Sequence, residues 1–267
     1  MALRISIVTP SYNQAQFIRR TIDSVLEQAG KFELDYRVID GGSTDGTVEI
    51  LKSYGDRVRW VSEKDKGQVD AINKGLHAAT GDIVGWVNSD DVLLPGALAK
   101  VERAFEAHPE VEWVHGRCRI IDEHDGEIRR WVNFYKHYRS TNHSFTNLLT
   151  ENYISQMTAF WRRSVHDEIG YLDPVVDLAF DYDLFLRLAK RGDPIYIPDE
   201  IACFRMYETS KSGAGFEKQV DQAIKIAARY GKPGLWLQAR TQAKKLAIVN
   251  TYRAMAIARA ALLKSRS

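Results

Sequence analysis

Residues 4–30 read RISIVTPSYNQAQFIRRTIDSVLEQAG, and they set the fold. RISIVTP has the pattern of a strand, whereas Phe17, Ile18, Ile22, Val25, Leu26 and Ala29 recur at the spacing of one helix face, closed by Gly30. The unit then repeats: strand LDYRVID (34–40), a helix from Thr44 to Tyr54, strand RVRWVS (57–62), helix GQVDAINKGLHAATG (67–81), strand DIVGWVN (82–88), a helix from Pro95 to Ala107 and strand VEWVHG (111–116). Strands and helices alternating on short connections predict an α/β fold, a mostly parallel sheet flanked by helices, with right-handed crossovers. In the 67–81 helix, Val69, Ile72, Leu76 and Ala79 share the inward face, with Asp70, Asn73 and His77 pointing away.

After residue 116 the pattern weakens. Residues 117–150 are polar and aromatic, with DEHDG (122–126) as a turn, and are expected to form an irregular lid or binding loop. A strand in ISQMTAFWRR (154–163), a helix in DYDLFLRLAKRG (181–192) and two strand pieces, PIYIP (194–198) and IACFRMY (201–207), follow before a helical end.

At 267 residues, 45% hydrophobic and 27% charged, the chain can bury one large core and is neither disordered nor fibrous. Cys118 and Cys203 stand far apart and outside any paired motif, which predicts neither a disulfide framework nor a zinc site and fits a reducing cytoplasm. Neither a signal peptide nor a membrane-spanning segment is expected from the apolar runs present. The net charge of +2 is unevenly spread: residues 222–267 carry ten basic and no acidic side chains, and residues 1–221 carry 27 basic against 35 acidic, a balance of −8. So acidic a body argues against nucleic acid as a partner. For the basic end two readings stand: peripheral contact with anionic lipid at the inner face of a membrane, or a helical subdomain packed on its own core or on another subunit.

The stretch VGWVNSDDVLLPG (84–96) runs a buried strand into two adjacent carboxylates, Asp90 and Asp91. They could cap the helix expected at Pro95, or they could repel one another in a partly dry site until a cation or proton joins them. Ligands of an open parallel sheet bind beyond the strands' carboxyl ends, and there the second strand ends at Asp40, the third at Glu63 and Asp65, the fourth at Asp90 and Asp91. A crevice of oxygen ligands suits magnesium or manganese. DGGSTDG (40–46) lacks the lysine of a phosphate loop and no GxGxxG follows the first strand, so phosphates bound here would need a metal to neutralise them. That combination suits a nucleoside diphosphate leaving group.

VTPSYN (8–13), VIDGGSTDGT (38–47), SEKDKGQVDAINKG (62–75), GWVNSDD (85–91) and FDYDLFLRLAKRG (180–192), in this order and spacing, resemble the family 2 glycosyltransferases of the GT-A fold, and among them the bacterial cell-surface polysaccharide branch. The resemblance spans residues 4–210. It implies a transferase domain over 1–212, with 1–116 as the nucleotide-sugar-binding half and 117–212 as the acceptor-binding half, and a basic helical region over 213–267. It implies that Pro10, Tyr12 and Asn13 line the nucleotide pocket, with Asp40 near the base and Asp65 and Asn73 near base or ribose. Asn88, Asp90 and Asp91 stand at the metal motif, with Asp91 first as ligand to Mn2+ or Mg2+. Asp181 stands at the catalytic base, with Asp183 its local competitor, and Gln156, Arg205 and Ser210 stand where acceptor or phosphate contacts are found. Two departures bear on this: Gly41 where a second acid is common, and Asn88 where the metal motif often begins with Asp.

The implied reaction moves a sugar from a UDP-, GDP- or dTDP-sugar to a hydroxyl of a glycan or lipid-linked acceptor with inversion, Asp181 taking the proton. A homo-oligomer is compatible with the sequence. A sugar-nucleotide nucleotidyltransferase would carry a glycine-rich basic signature after the first strand, which TPSYNQAQF lacks, and a non-catalytic binding module would not need Asp90, Asp91 and Asp181. His115, His137 and His143 lack ligand spacing and read as ordinary polar residues.

Overall fold

A computed structural model describes residues 2–207 and 216–231. Among them, β1 (Arg4–Ser11), β2 (Glu33–Asp40), β3 (Arg59–Ser62), β4 (Ile83–Trp86), β5 (Val92–Leu93), β6 (Trp113–Ile121), β7 (Ala159–Arg162) and β8 (Ile195–Arg205) form one sheet in the order β3-β2-β1-β4-β7-β6-β8-β5. The helices are α1 (Ile18–Leu26), α2 (Thr47–Lys52), α3 (Gln68–Ala78), α4 (Ala97–Ala107), α5 (Arg130–Thr141), α6 (Phe145–Thr150), α7 (His166–Ile169), α8 (Phe180–Arg191) and α9 (Phe216–Tyr230). β1 through β4 are mutually parallel, as the repeated strand–helix unit predicts, and β6 runs parallel to β8. β7 enters antiparallel between β4 and β6, and the two-residue β5 pairs antiparallel with β8.

Strand periodicity feeds two cores. Along β4 and the residue after it, Val84 and Trp86 face one side and Ile83 and Val87 the other, all buried. The first side holds α3 and α8 through Ile72, Leu76, Leu184, Phe185 and Leu188; the second holds α1 and α4 through Ile18, Ile22, Leu98 and Val101. Gly75 of α3 lies so close to β1 that a Cβ there would overlap both γ-methyls of Val8.

The expectation of an irregular stretch over 117–150 is corrected. β6 continues to Ile121, and α5 and α6 follow. The register of β6 shifts against β8 between Gly116 and Cys118, which interrupts the alternation by which a strand is recognised. In α5 the buried side chains are polar (Asn133, Arg139, Ser140) and four aromatic ones are exposed, the reverse of the usual helix pattern. PIYIP and IACFRMY, expected as separate strands, are one strand, β8.

Candidate active site

The parallel strands deliver their carboxyl ends to one edge. At the β1 exit, Pro10 is buried opposite Ile39, Tyr12 stands 62% exposed, and Asn13 adopts a left-handed conformation with φ 50°. That turn lets the Asn13 N–H donate to Ser43 Oγ at 2.7 Å while its Oδ1 accepts from the Thr44 N–H at 2.9 Å. The β1 and β2 exits are thereby clasped. Asp40, fully buried, accepts from the N–H groups of Gly42 and Ser43 and from the hydroxyls of Ser43 and Ser62. These donors shape the loop and fill both carboxylate oxygens, so the structure gives Asp40 a loop-organising part where a base contact was expected.

Asp65, part-exposed, accepts from the Gly67 N–H at 2.8 Å and lies against Gly41. A Cβ at residue 41 would sit 2.7 Å from Asp65 Oδ2, so the glycine makes room for this carboxylate at the crevice. Asn73 is placed otherwise than expected: its amide donates to the Leu172 carbonyl at 2.9 Å and accepts from the Leu172 N–H at 3.0 Å, pinning the loop before α8 onto α3. Gln156, 8% exposed, is likewise committed inward, donating to the Trp86 carbonyl at 2.7 Å and accepting from Asn88 Nδ2 at 3.3 Å.

Asn88 also accepts from Gln68 Nε2 at 2.9 Å and donates to Asp91 Oδ2 at 3.0 Å. The capping reading of the acid pair fails: α4 starts at Ala97 after Gly96, with no side-chain cap, and β5 intervenes. The two acids differ. Asp91 is 0% exposed, and its other oxygen accepts from the Arg205 N–H at 3.0 Å. Asp90 is part-exposed, and its Oδ2 accepts from the Tyr207 hydroxyl at 3.0 Å. Burial raises both carboxyls, and the Asp90 charge beside it pushes Asp91 further, well above the usual carboxylate range. Asp90 is therefore the acid of the pair with access to the crevice, and Asp91 is buried beneath it.

Arg205 is also reassigned. Its side chain, 2% exposed, donates to the carbonyls of Asp90 and Asp122, pairs with Asp125 at 2.6 Å and lies over the Phe17 ring. It fixes the acidic loop from beneath and is not available to an incoming phosphate. Ser210 lies outside the described residues.

Asp181, in the first turn of α8, accepts from Asn152 Nδ2 at 3.3 Å. Burial raises its carboxyl, while the Tyr182 N–H, the Lys136 charge and Asn152 oppose the rise. Its competitor Asp183 is 3% exposed and locked, accepting from Arg187 Nε at 3.0 Å and from the Tyr230 hydroxyl at 2.6 Å. Lys136 and Asn152, unremarked in the sequence, are brought to Asp181 by α5 and by the segment before β7; no local spacing announces either.

The three histidines gather behind this region. His115 is fully buried and pushed down to about 3, hence neutral; His137 bonds the Tyr196 hydroxyl and His143 that of Tyr153. Among the described residues no three His, Cys, Asp or Glu side chains converge as a ready metal site, and no helix is long and apolar enough to cross a membrane.

The profile of glycosyl transferase family 2 matches residues 6–170. A chondroitin synthase of Pasteurella multocida is 30% identical over 191 residues, which cover 70% of this chain and 19% of that protein, so the chain spans about a fifth of such synthases. An uncharacterized glycosyltransferase of Mycobacterium tuberculosis is 28% identical over 72% of this chain and 71% of its own length. Among solved structures, Staphylococcus aureus TarS 1-349 in complex with UDP-GlcNAc superposes with TM-score 0.67 at 18% identity, over 91% of this chain and 72% of that one. A Pyrobaculum calidifontis mannosyltransferase in complex with GDP-Man and Mn2+ gives TM-score 0.67 at 21% identity, over 98% of this chain and 81% of that one. These likenesses establish the GT-A fold, and with the matched profile they show that this chain belongs to glycosyl transferase family 2.

Proposed function

We propose that this chain transfers a sugar from a nucleoside-diphosphate donor to an acceptor hydroxyl with inversion of the anomeric centre, in the making of a bacterial surface polysaccharide or glycoconjugate. The observation that carries the reading is the pair Asp90–Asp91 at the β4 exit, adjacent acids that cap no helix and whose carboxyls are both raised by burial. Donors of this class are supported by the UDP-GlcNAc and GDP-Man of the two superposed structures, and the polysaccharide role by the chondroitin synthase relative.

A divalent cation fits the oxygen-only donor set. Asp90 would hold it, with the diphosphate completing its shell, since the described residues offer no third carboxylate there. When bound it would neutralise charge developing on the departing diphosphate. Asp91 and Arg205 keep Asp90 in place, and the Asp65–Gly41 edge with Asn13 and Tyr12 would border the nucleotide. Asp181 accepts the proton of the acceptor hydroxyl as its oxygen attacks the anomeric carbon; the new C–O bond forms as the bond to the diphosphate breaks. One displacement with one base gives inversion. Domain use follows: residues 1–116 serve the donor and 117–212 the acceptor.

The test is incubation with Mn2+ and a panel of UDP-, GDP- and dTDP-sugars, followed by proton NMR. One α-linked donor should release its sugar first as the β anomer, and Asp181→Asn should slow the release by about 10²–10⁴-fold while nucleotide binding persists. Release as the α anomer, or from no donor, would remove the reading.

A further inference from the structure

α5 turns its aromatic side chains to solvent. Trp131, Phe134, Tyr135 and Tyr138 are 55%, 72%, 36% and 58% exposed and fall at i, i+3, i+4 and i+7, a stripe about 10 Å long on one face. The opposite face is polar and buried, so this is no core helix that has lost a neighbour. Folding in water alone would not place these rings outside.

The chemistry of the rings and the basic end of the chain point to the occupant of the stripe. Of the basic side chains of α5, Lys136 and Arg139 are turned inward, toward Asp181 and Glu151, and add no charge to this face. Arg130 stands 80% exposed at the head of the stripe, paired with Glu127. The carboxylate nearest the rings, Glu151, is covered, bonded by the Tyr135 hydroxyl at 2.7 Å and near Arg139 at 3.6 Å. Gly231, where the described chain ends, lies against Leu149 of α6, the helix after α5, and the sequence beyond it adds basic residues and no acid to Ser267. Trp and Tyr favour the headgroup level of a bilayer, Phe favours the acyl boundary, and a cationic segment adds attraction to anionic headgroups. Phe134, the most exposed of the rings, carries no polar group to satisfy in water, which suits the acyl boundary.

We propose that the outer face of α5 rests on an anionic phospholipid bilayer, with Trp131, Phe134 and Tyr138 seated in the headgroup region. The inference does not depend on the chemistry at the cleft. It adds a consequence to it: α5 carries Lys136, whose charge acts on Asp181, so a docked protein turns its acceptor side toward the membrane.

Full-length protein is mixed with phosphatidylcholine vesicles, with and without phosphatidylglycerol, and sedimented. Binding should require the anionic lipid, and the Trp131→Ser, Phe134→Ser double variant should lower the partition coefficient about tenfold or more with an unchanged unfolding temperature. Lipid brominated near the headgroup should quench tryptophan fluorescence, and Trp131→Phe should remove that quenching while keeping most of the binding. Three results would overturn the proposal: no binding to either vesicle; equal binding by the double variant with no quenching, which assigns adhesion to the basic end alone; or a dimer in light scattering that the double variant abolishes without any lipid effect, which assigns the face to a second copy.

Discussion

Asp181 and Asp183 share the first turn of one helix and differ only in what the fold brings to them. Arg187 at i+4 and the hydroxyl of Tyr230 occupy Asp183, whereas Asp181 meets the Asn152 amide, the Tyr182 N–H and the charge of Lys136. With its carboxyl above the usual range, Asp181 is ionised and able to take a proton only at higher pH, so activity should fall on acidification earlier than an ordinary carboxylate would impose. Lys136 opposes that rise. Lys136→Met should therefore move the acidic limb of the pH–kcat/KM profile upward, and an unmoved limb would show that the two groups do not communicate. The sequence displayed Arg187 at its i+4 spacing, but nothing in it displayed Tyr230, Lys136 or Asn152. Which of Asp90 and Asp91 is buried was hidden for the same reason: the Arg205 N–H that takes Asp91 inward lies 114 residues away.

Short-range pattern predicted α3 with its inward face because it buries one apolar stripe, and α8 from the density of its apolar residues, which are buried on nearly all sides. It missed α5, whose stripe faces outward, and β5, two residues whose only reason to be a strand is their pairing with Ala202 and Cys203. The fit of α3 on β1 depends on Gly75. Gly75→Ala would improve helix propensity, yet its methyl would press on Val8, and the balance should be a loss of about 1–3 kcal/mol in denaturant unfolding. Adding Val8→Ala, which removes the opposing methyls, should make the pair less destabilised than the sum of the single changes. Strict additivity would mean that α3 does not press on β1 there.

The front of the sheet is tied across strands by Asp35. It is 6% exposed on β2 and accepts from Ser6 on β1, from Thr80 before β4 and from Arg59 on β3. Burial alone would raise its carboxyl, but Thr80, Ser6 and Arg37 outweigh that and hold it below the usual value. A depressed folded value stabilises above the unfolded one and is lost as pH falls through the folded one. Asp35→Asn should thus cost about 2–3 kcal/mol at neutral pH, and the penalty should fade below about pH 4; a penalty constant with pH would assign it to packing alone. This parallel half of the molecule was legible because each strand is followed by its own helix. The half built from β6, β7 and β8 was not, because its partners are chosen by long-range pairing.

The proposed division of labour between the two acids at the β4 exit is tested most directly by thermal unfolding with UDP, GDP, dTDP and CDP, each with and without Mn2+, for the wild type and for Asp90→Asn. A ligand at 100 times its Kd stabilises by about 2.7 kcal/mol, a readable shift. The expected result is one nucleotide that raises the midpoint of the wild type only with Mn2+, and an Asp90→Asn variant that folds normally and shows no metal-dependent rise. An unchanged metal-dependent rise in Asp90→Asn, or no rise in the wild type with any nucleotide, would contradict the account.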